Sequence, residues 1–277
     1  MRSSGRLLLG AGLLAAATLA SAPLAAQTPS PLANWQYSVG EVLVPLGGPL
    51  PDWRITLGGG AEVQPIYEGS KRYSALPSVV LDVRYKNIAF LSDGEGIGVN
   101  LIRGPTYRAG VAVGYDLGRN HHAQHRLTGL GNVDPAPEAK LFAEYFLLPF
   151  VYTFDVRKGV GGHDGVIGDL GLYVPLPAAK DLYVFTGPSV TFADGEYMRA
   201  YFGISAAQAA RSQFHAFTAH GGLDRAGWGV TAVYKYSERW WLEAEGAWEY
   251  MLGDAASSPI VEDRSQFTAG INVLYRF

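Results

Sequence analysis

Along residues 266–277 every second residue, from Phe267 to Phe277, is apolar, up to the end of the given sequence. Phe267, Ile271 and Val273 share one face with the aromatic residues Tyr275 and Phe277. A period of two indicates a β-strand. A strand of about 10 residues with one apolar face and aromatic residues near its end is typical of a membrane-spanning β-barrel. We therefore predict an all-β, transmembrane antiparallel β-barrel.

The same alternation recurs upstream and predicts about twelve strands. The segments are residues 52–65, 73–85, 87–92, 96–102, 106–117, 138–148, 150–156, 166–174, 182–193, 226–236, 240–250 and 266–277. Ten or fourteen strands also fit, because boundaries predicted from a pattern carry errors of a few residues.

The predicted connections alternate between short and long. Residues 86–87, 103–105, 149, 175–181 and 237–239 form the short set, whereas residues 118–137, 194–225 and 252–264 form long loops. Bacterial barrels have short periplasmic turns and longer extracellular loops. This order, with an even number of strands, predicts that both termini of the chain lie in the periplasm.

The N-terminal segment predicts export. Arg2 and Arg6 precede an uncharged apolar run at residues 7–19, and small residues follow. This pattern is typical of a signal peptide cleaved after Ala26, with Ala22 as the alternative. A membrane anchor is the other interpretation, but the run is shorter than the roughly 20 residues that a spanning helix needs. We predict a signal peptide at residues 1–26, a periplasmic arm with five prolines at 27–51, and an outer-membrane barrel at 52–277.

Composition narrows the class of protein. The chain has no Cys, so disulfides and thiolate metal ligands are excluded. The formal net charge is −3, and loss of Arg2 and Arg6 with the signal peptide leaves 20 basic against 25 acidic residues, or −5. Such a chain offers no basic excess for nucleic acid.

Charged residues fall on the polar faces of the predicted strands, which assigns them to the lumen. A lipid-facing Arg or Lys at mid-depth costs about 2 to 4 kcal/mol. The set carries both signs and is expected to pair across the barrel, which excludes a wide open pore. Its members are Arg54, Glu62, Asp82, Arg84, Arg108, Asp116, Glu144, Asp155, Arg157, Glu243 and Glu245.

Residues 198–211 interrupt the alternation within the longest predicted loop. Ser205 is expected to cap a short helix that extends through Gln208. Tyr201, Phe202 and Ile204 need burial. We predict that this loop folds inward and constricts the mouth; the alternative is an outward cap packed on residues 253–263.

The histidines are candidates for metal binding or catalysis. His121, His122 and His125 share one polar loop and offer imidazole ligands for Zn or Cu, but a His-rich loop is compositional evidence only. A catalytic triad must be assembled around a positioned nucleophile, and no local signature of one is present. We predict no catalytic residue, resident metal or cofactor.

Several loop segments resemble signatures of the MltA-interacting protein (MipA/OmpV) family, and the resemblance extends from about Trp53 to Phe277. They are Tyr67-Glu-Gly-Ser70, residues 129–134, Gly161-Gly-His163, residues 197–209 and residues 253–263. The chain departs from the family at residues 121–125, where acidic residues are frequent.

The resemblance implies an outer-membrane protein that acts as a scaffold between a lytic transglycosylase and a murein synthase. A narrow porin-like channel for small solutes is the alternative. The family brings no catalytic residue to this sequence. The terminal aromatics Tyr275 and Phe277 resemble the signal read by the barrel-insertion machinery, so that machinery and outer-membrane lipid are further expected partners.

Overall fold

Twelve antiparallel strands form a closed barrel in the computed structural model, which describes residues 50–122 and 124–277. Every strand pairs with its neighbours in the chain, and β1 pairs with β12. The predicted signal peptide, and all of the predicted arm except Leu50 and Pro51, are outside the described residues. The strands are β1 (Trp53–Pro65), β2 (Tyr73–Tyr85), β3 (Ala89–Ser92), β4 (Gly96–Arg103), β5 (Tyr107–Asp116), β6 (Ala136–Leu147), β7 (Phe150–Gly159), β8 (Val166–Ala179), β9 (Leu182–Ala193), β10 (Gly222–Lys235), β11 (Trp240–Met251) and β12 (Ser265–Arg276).

Alternating side chains give the wall an apolar outer face and a polar inner face. Val79 is 72% exposed on the outside of β2, whereas Arg84 of the same strand is 2% exposed on the inside. Outward aromatic residues lie near both ends of the strands, as with Tyr73 and Tyr85 on β2. This arrangement is that of a barrel surrounded by lipid.

The connections divide the barrel into two different ends. At one end no connection exceeds four residues, and β1 begins and β12 ends there. At the other end residues 117–135, 194–221 and 252–264 form long loops. In bacterial barrels the end with short turns faces the periplasm, so the predicted orientation and the count of twelve strands agree with the structure.

Three short helices and a 3-10 turn lie in the long loops. They are α1 (Gly195–Phe202), α2 (Ala206–Ala209), α3 (Gly253–Ser257) and the 3-10 turn His125–Leu127. The predicted cap at Ser205 is present, since its hydroxyl accepts the Gln208 amide hydrogen at 3.2 Å. The longer helix α1 was not predicted; the Asp194 carboxylate accepts the Tyr197 amide hydrogen at 2.9 Å and caps its start.

Several strands extend beyond their predicted ends, and the largest differences are in β8 and β10. β8 continues to Ala179 instead of residue 174, and β10 starts at Gly222 instead of residue 226. A β-bulge explains the second difference, because the register with β9 shifts between Leu223 and Arg225. Asp224 and Arg225 are therefore both buried, and the period of two is interrupted there.

The seam between β1 and β12 closes the barrel. Gly60 pairs with Asn272, and a Cβ at Gly60 would lie 1.8 Å from the Ile271 carbonyl oxygen. Tyr275 pairs with Leu57, and the Phe277 amide donates to the Ile55 carbonyl at 3.0 Å. The last residue of the chain therefore takes part in closure.

Candidate functional site in the lumen

The first ion-pair network lies between β2 and β6. Arg108 donates through Nε to Glu144 at 2.8 Å and also contacts Glu95, while Arg84 donates through Nε to Asp82 at 2.9 Å and contacts Glu95 as well. The side chains of Arg84, Arg108, Glu95 and Glu144 are at most 4% exposed. These pairs join neighbours along the wall instead of spanning the barrel as predicted.

A second network holds the wall from β7 to β10. Arg157 lies 3.0 Å from Asp155 and also contacts Asp169, which accepts the Thr191 hydroxyl hydrogen at 2.6 Å. Arg225, turned inward by the bulge, lies 2.6 Å from Asp224 and 2.8 Å from Glu68. Each of the two guanidinium groups neutralises two carboxylates. This attraction offsets the free-energy cost of removing the charges from water.

At mid-height the wall formed by β11, β12 and β1 carries three glutamates, Glu62, Glu243 and Glu245, whereas Arg54 and Arg276 lie at its periplasmic end. Glu62 and Glu245 are half-buried, and within the described part of the chain neither has an ion-pair partner. The Glu245 carboxylate lies over Gly270, where an added Cβ would be 2.4 Å from its Oε1. Asn272 donates to Glu243 at 3.2 Å. Negative charge is therefore exposed to the lumen on one side.

The extracellular mouth contains α1. Tyr197, Met198, Tyr201 and Phe202 are at most 3% exposed and pack against residues at the tops of β8, β9 and β11. The Tyr201 hydroxyl donates to the Asp116 carboxylate, with oxygens at 2.7 and 2.8 Å. Tyr201 and Phe202, which were predicted to form a constriction, are thus buried at the extracellular end of the barrel.

The other long loops complete this extracellular cap, which we define as residues 66–72, 117–135, 194–221 and 252–264. Ile204 packs with Tyr67, Leu127 and Ile260. The Tyr67 hydroxyl donates to the Ile260 carbonyl at 3.2 Å. Residues 253–263 also pack with α1, which is the contact named in the outward alternative.

Burial changes the proton affinity of groups in the cap. Desolvation raises the pKa of Tyr67 and of Tyr197, because their anionic forms would lose water. Desolvation also lowers the pKa of Arg119, whose guanidinium donates to the Tyr201 carbonyl. The cap therefore has an interior from which water is largely excluded.

Asp116, Glu138 and His163 form a buried cluster that could hold a metal by proximity alone. His163 Nε2 lies 3.4 Å from Asp116 and 3.3 Å from Glu138, and its Nδ1 accepts the Gly165 amide hydrogen at 3.0 Å. Neutral His163 therefore carries its proton on Nε2, the atom that would have to bind the metal. Ligating histidines instead donate from the second nitrogen, so the cluster fits a structural role better than a metal site.

The histidines selected from the sequence are arranged differently. The rings of His121 and His122 lie 3.9 Å apart, and His121 Nδ1 lies 2.7 Å from the Asn132 side-chain oxygen. His125 begins the neighbouring 3-10 turn. Among the described residues, these three are not part of a set that brings metal-ligand atoms together.

Sequence reasoning missed Glu95 and the cluster around His163. Glu95 follows Asp93 and Gly94 in a hairpin turn, where an acidic residue is ordinarily solvated. The signal for the cluster was the Gly161-Gly-His163 motif, because Gly161 and Gly162 both have positive φ and direct the histidine inward. Of the predicted lumen residues not yet placed, Arg54 is half-buried on β1.

The model of the family described as "MltA-interacting protein MipA" matches residues 57–277. The chain belongs to this family. It is 25% identical to the outer membrane protein OmpV of Vibrio cholerae serotype O1 over 239 residues, covering 81% of this chain and 86% of that protein. The outer membrane protein Omp26La of Vibrio anguillarum is 24% identical with the same coverage. The protein is located in the outer membrane.

Among solved structures, the chain is similar to the NanC porin, with a TM-score of 0.44 at 7% identity, covering 80% of this chain and 100% of that one. The KdgM porin gives 0.43 at 8% identity, with 80% and 99% covered. Within residues 50–122 and 124–277, each helix is too short or too polar to cross a membrane.

Proposed function

We propose that this protein is a non-enzymatic scaffold that holds murein-remodelling enzymes at the outer membrane. The observation that carries the proposal is the closed cap, in which Tyr197, Met198 and Phe202 are at most 1% exposed inside the mouth. A barrel closed in this way is poorly suited to passive diffusion along its axis. The family description, which names an interaction with MltA, supports a role in binding protein partners.

A partner enzyme would meet the periplasmic end of the barrel. The turns there contain at most four residues, whereas a standard interface buries about 800 Å² on each partner. Residues 27–51, together with the barrel rim, are the part of the chain that can supply the remaining area. We propose a lytic transglycosylase and a murein synthase as the enzymes bound.

The buried histidine cluster supports the assignment to a non-enzyme. The side chains of Asp116 and His163 are 0% exposed and that of Glu138 is 3% exposed, so a substrate has no access to them. A catalytic group must touch the reacting atoms.

The test is capture of a purified lytic transglycosylase, and separately of a purified murein synthase, by the full-length mature protein in detergent. Deletion of residues 27–51 is expected to reduce capture while leaving the heat-modifiable barrel intact. Arg199→Glu, a change on the extracellular helix α1, is the matched control and should capture normally. Failure of the full-length protein to capture either enzyme would reject the scaffold.

A second candidate function is a narrow channel for small solutes, and the acidic wall is the observation that favours it. Glu62 and Glu245 expose negative charge to the lumen, which would select cations. Planar-bilayer recordings should then show unitary steps whose cation selectivity falls in Glu245→Gln. Absence of steps from protein that is fully folded would reject the channel.

A further inference from the structure

The hairpin of β3 and β4 is shorter than the strands on either side of it. β3 pairs with β2 only along Asp82–Tyr85, and Ile97 with Val113 is the uppermost pair between β4 and β5. The Leu81 amide donates to the Asp93 side chain at 3.0 Å, which ends the ladder. Above this turn, β2 and β5 continue with no described strand between them.

This gap lies at the level of the outer leaflet. Leu81, opposite the turn, is four residues from Tyr85 at the periplasmic end and eight residues from Tyr73 at the extracellular end. Eight residues at about 3.3 Å each, in strands tilted by about 45°, rise by about 19 Å. The gap therefore extends from within the apolar band to the extracellular interface.

The cap closes the top of the gap. Gln124 from one loop donates to the Ser70 hydroxyl of another at 3.0 Å, and Tyr67 packs with Leu127 above it. We call the resulting space the lateral opening; its borders are residues 73–80 of β2, residues 93–95, residues 114–116 of β5 and the cap. It faces sideways into the bilayer.

The backbone of β2 indicates that this opening is bordered by water or protein and is not filled by lipid alone. The backbone amide and carbonyl of Leu81 both point towards β3. Because these backbone groups alternate in direction along a strand, the backbone groups of Ala75, Pro77 and Val79 point into the gap. Among the described residues these groups have no backbone partner. Such groups are not left exposed to hydrocarbon, and irregular edges occur only beside water or protein. Pro77 also lacks an amide hydrogen, which disfavours addition of a strand.

The lumen behind the opening is acidic. Glu62 lies across from Leu76 in the β1–β2 register, and Asp93 lies at the base of the opening. Glu62 and Glu245 both lie opposite Gly270, on the strands at either side of it, so the two carboxylates occupy neighbouring positions on the lumen wall and repel each other. A cationic group placed there would relieve this repulsion.

We propose that the lateral opening takes amphipathic molecules that carry a cationic head and a single alkyl chain. The head lies against the acidic wall, and the chain passes between β2 and β5 into the outer leaflet. Because the cap closes the axial route, this side route connects the lumen with the bilayer. The proposal is independent of the scaffold.

The first experiment measures contact between the lumen and lipid chains. The chain has no Cys, so Ser78→Cys and Ser189→Cys can each carry a single bimane label. Both serines face the lumen seven residues from the periplasmic end of their strands, but Ser189 lies in a continuous wall between Gly171 and Gly227. Lipids brominated in the acyl chain should quench the label at 78 several-fold more than the label at 189. Equal quenching at both positions would overturn the opening, and Leu76→Cys provides a second position if Ser78→Cys does not fold.

The second experiment tests the head group. Spin-labelled dodecylammonium should quench the label at position 78 with saturation, whereas spin-labelled dodecyl sulfonate should quench it no more than the label at 189. The double variant Glu62→Gln/Glu245→Gln should lose most of the saturable component while keeping the quenching by brominated lipid. Equal saturable quenching by both amphipaths would overturn the cationic assignment.

Discussion

Replacing Arg108 by Met tests the ion-pair network of the lumen. Arg108 is 1% exposed, contacts Glu95 and Glu144, and has its guanidinium carbon 5.2 Å from the Phe142 ring centroid. Removing one partner of a buried pair costs about 3 to 5 kcal/mol, because the opposite charge stays behind in the interior. Arg84 still neutralises Glu95 and Lys140 also attracts it, so we expect a loss near about 3 kcal/mol, or roughly two orders of magnitude in the unfolding constant.

The assay is urea unfolding in detergent micelles, followed by tryptophan fluorescence and by the heat-modifiable band. Arg199→Met is the control, since Arg199 and Glu196 form an exposed pair at 2.6 Å in which the side chains are 48% and 60% exposed. Such pairs contribute about 0 to 1 kcal/mol. The double variant Arg108→Met/Glu144→Gln should recover part of the loss, because it removes the carboxylate left behind. Equal losses for Arg108→Met and Arg199→Met would refute the reasoning.

Three further predictions concern assembly and the cap. Deletion of Phe277 should lower the membrane-inserted, heat-modifiable fraction, because its amide hydrogen bond helps to close the seam; normal insertion would contradict this. Gly60→Ala should reduce insertion more than Gly59→Ala, since the added Cβ would lie 1.8 Å from a backbone oxygen at Gly60 but 3.3 Å from one at Gly59; similar insertion of the two would count against the seam geometry. Hydrogen bonds from the amide and ring of His220 lower the pKa of Asp254, so this contact stabilises the cap above about pH 4 and is lost as the pH falls through the lowered value. The protection factor of the His220 amide, which is the exchange rate of an unfolded peptide at the same pH divided by that of this amide, should therefore fall below about pH 4, whereas Asp254→Asn should show no such step.

The strands were predictable because lipid and lumen act on alternate side chains. A charge facing hydrocarbon is unfavourable at every level of the wall, so Glu62, Asp82 and Glu243 indicate the inner face without any knowledge of their neighbours. The same rule fails at Asp224 and Arg225, since a bulge turns two consecutive residues inward. A period of two carries no information about bulges.

The pairing of charges was not predictable. Glu95 lies in a turn, and only the short hairpin of β3 and β4 brings it beside Arg84 and Arg108. Tyr201 and Asp116 are 85 positions apart in the sequence, and their contact joins α1 to the end of β5. Such contacts depend on the relative heights of the strands, which the pattern of a single strand does not contain.

The contacts of the cap also indicate that it forms late during folding of the barrel. Tyr67 contacts Ile260 across 193 positions of sequence, and Gly69 donates to Gln266 across 197. Contacts between such distant segments form late, after the ends of the chain have been brought together. The outer surface of the cap is therefore absent from any intermediate in which β1 and β12 are still apart. An antibody that recognises the joined loops at the cell surface would therefore bind the fully folded barrel and would not bind these intermediates.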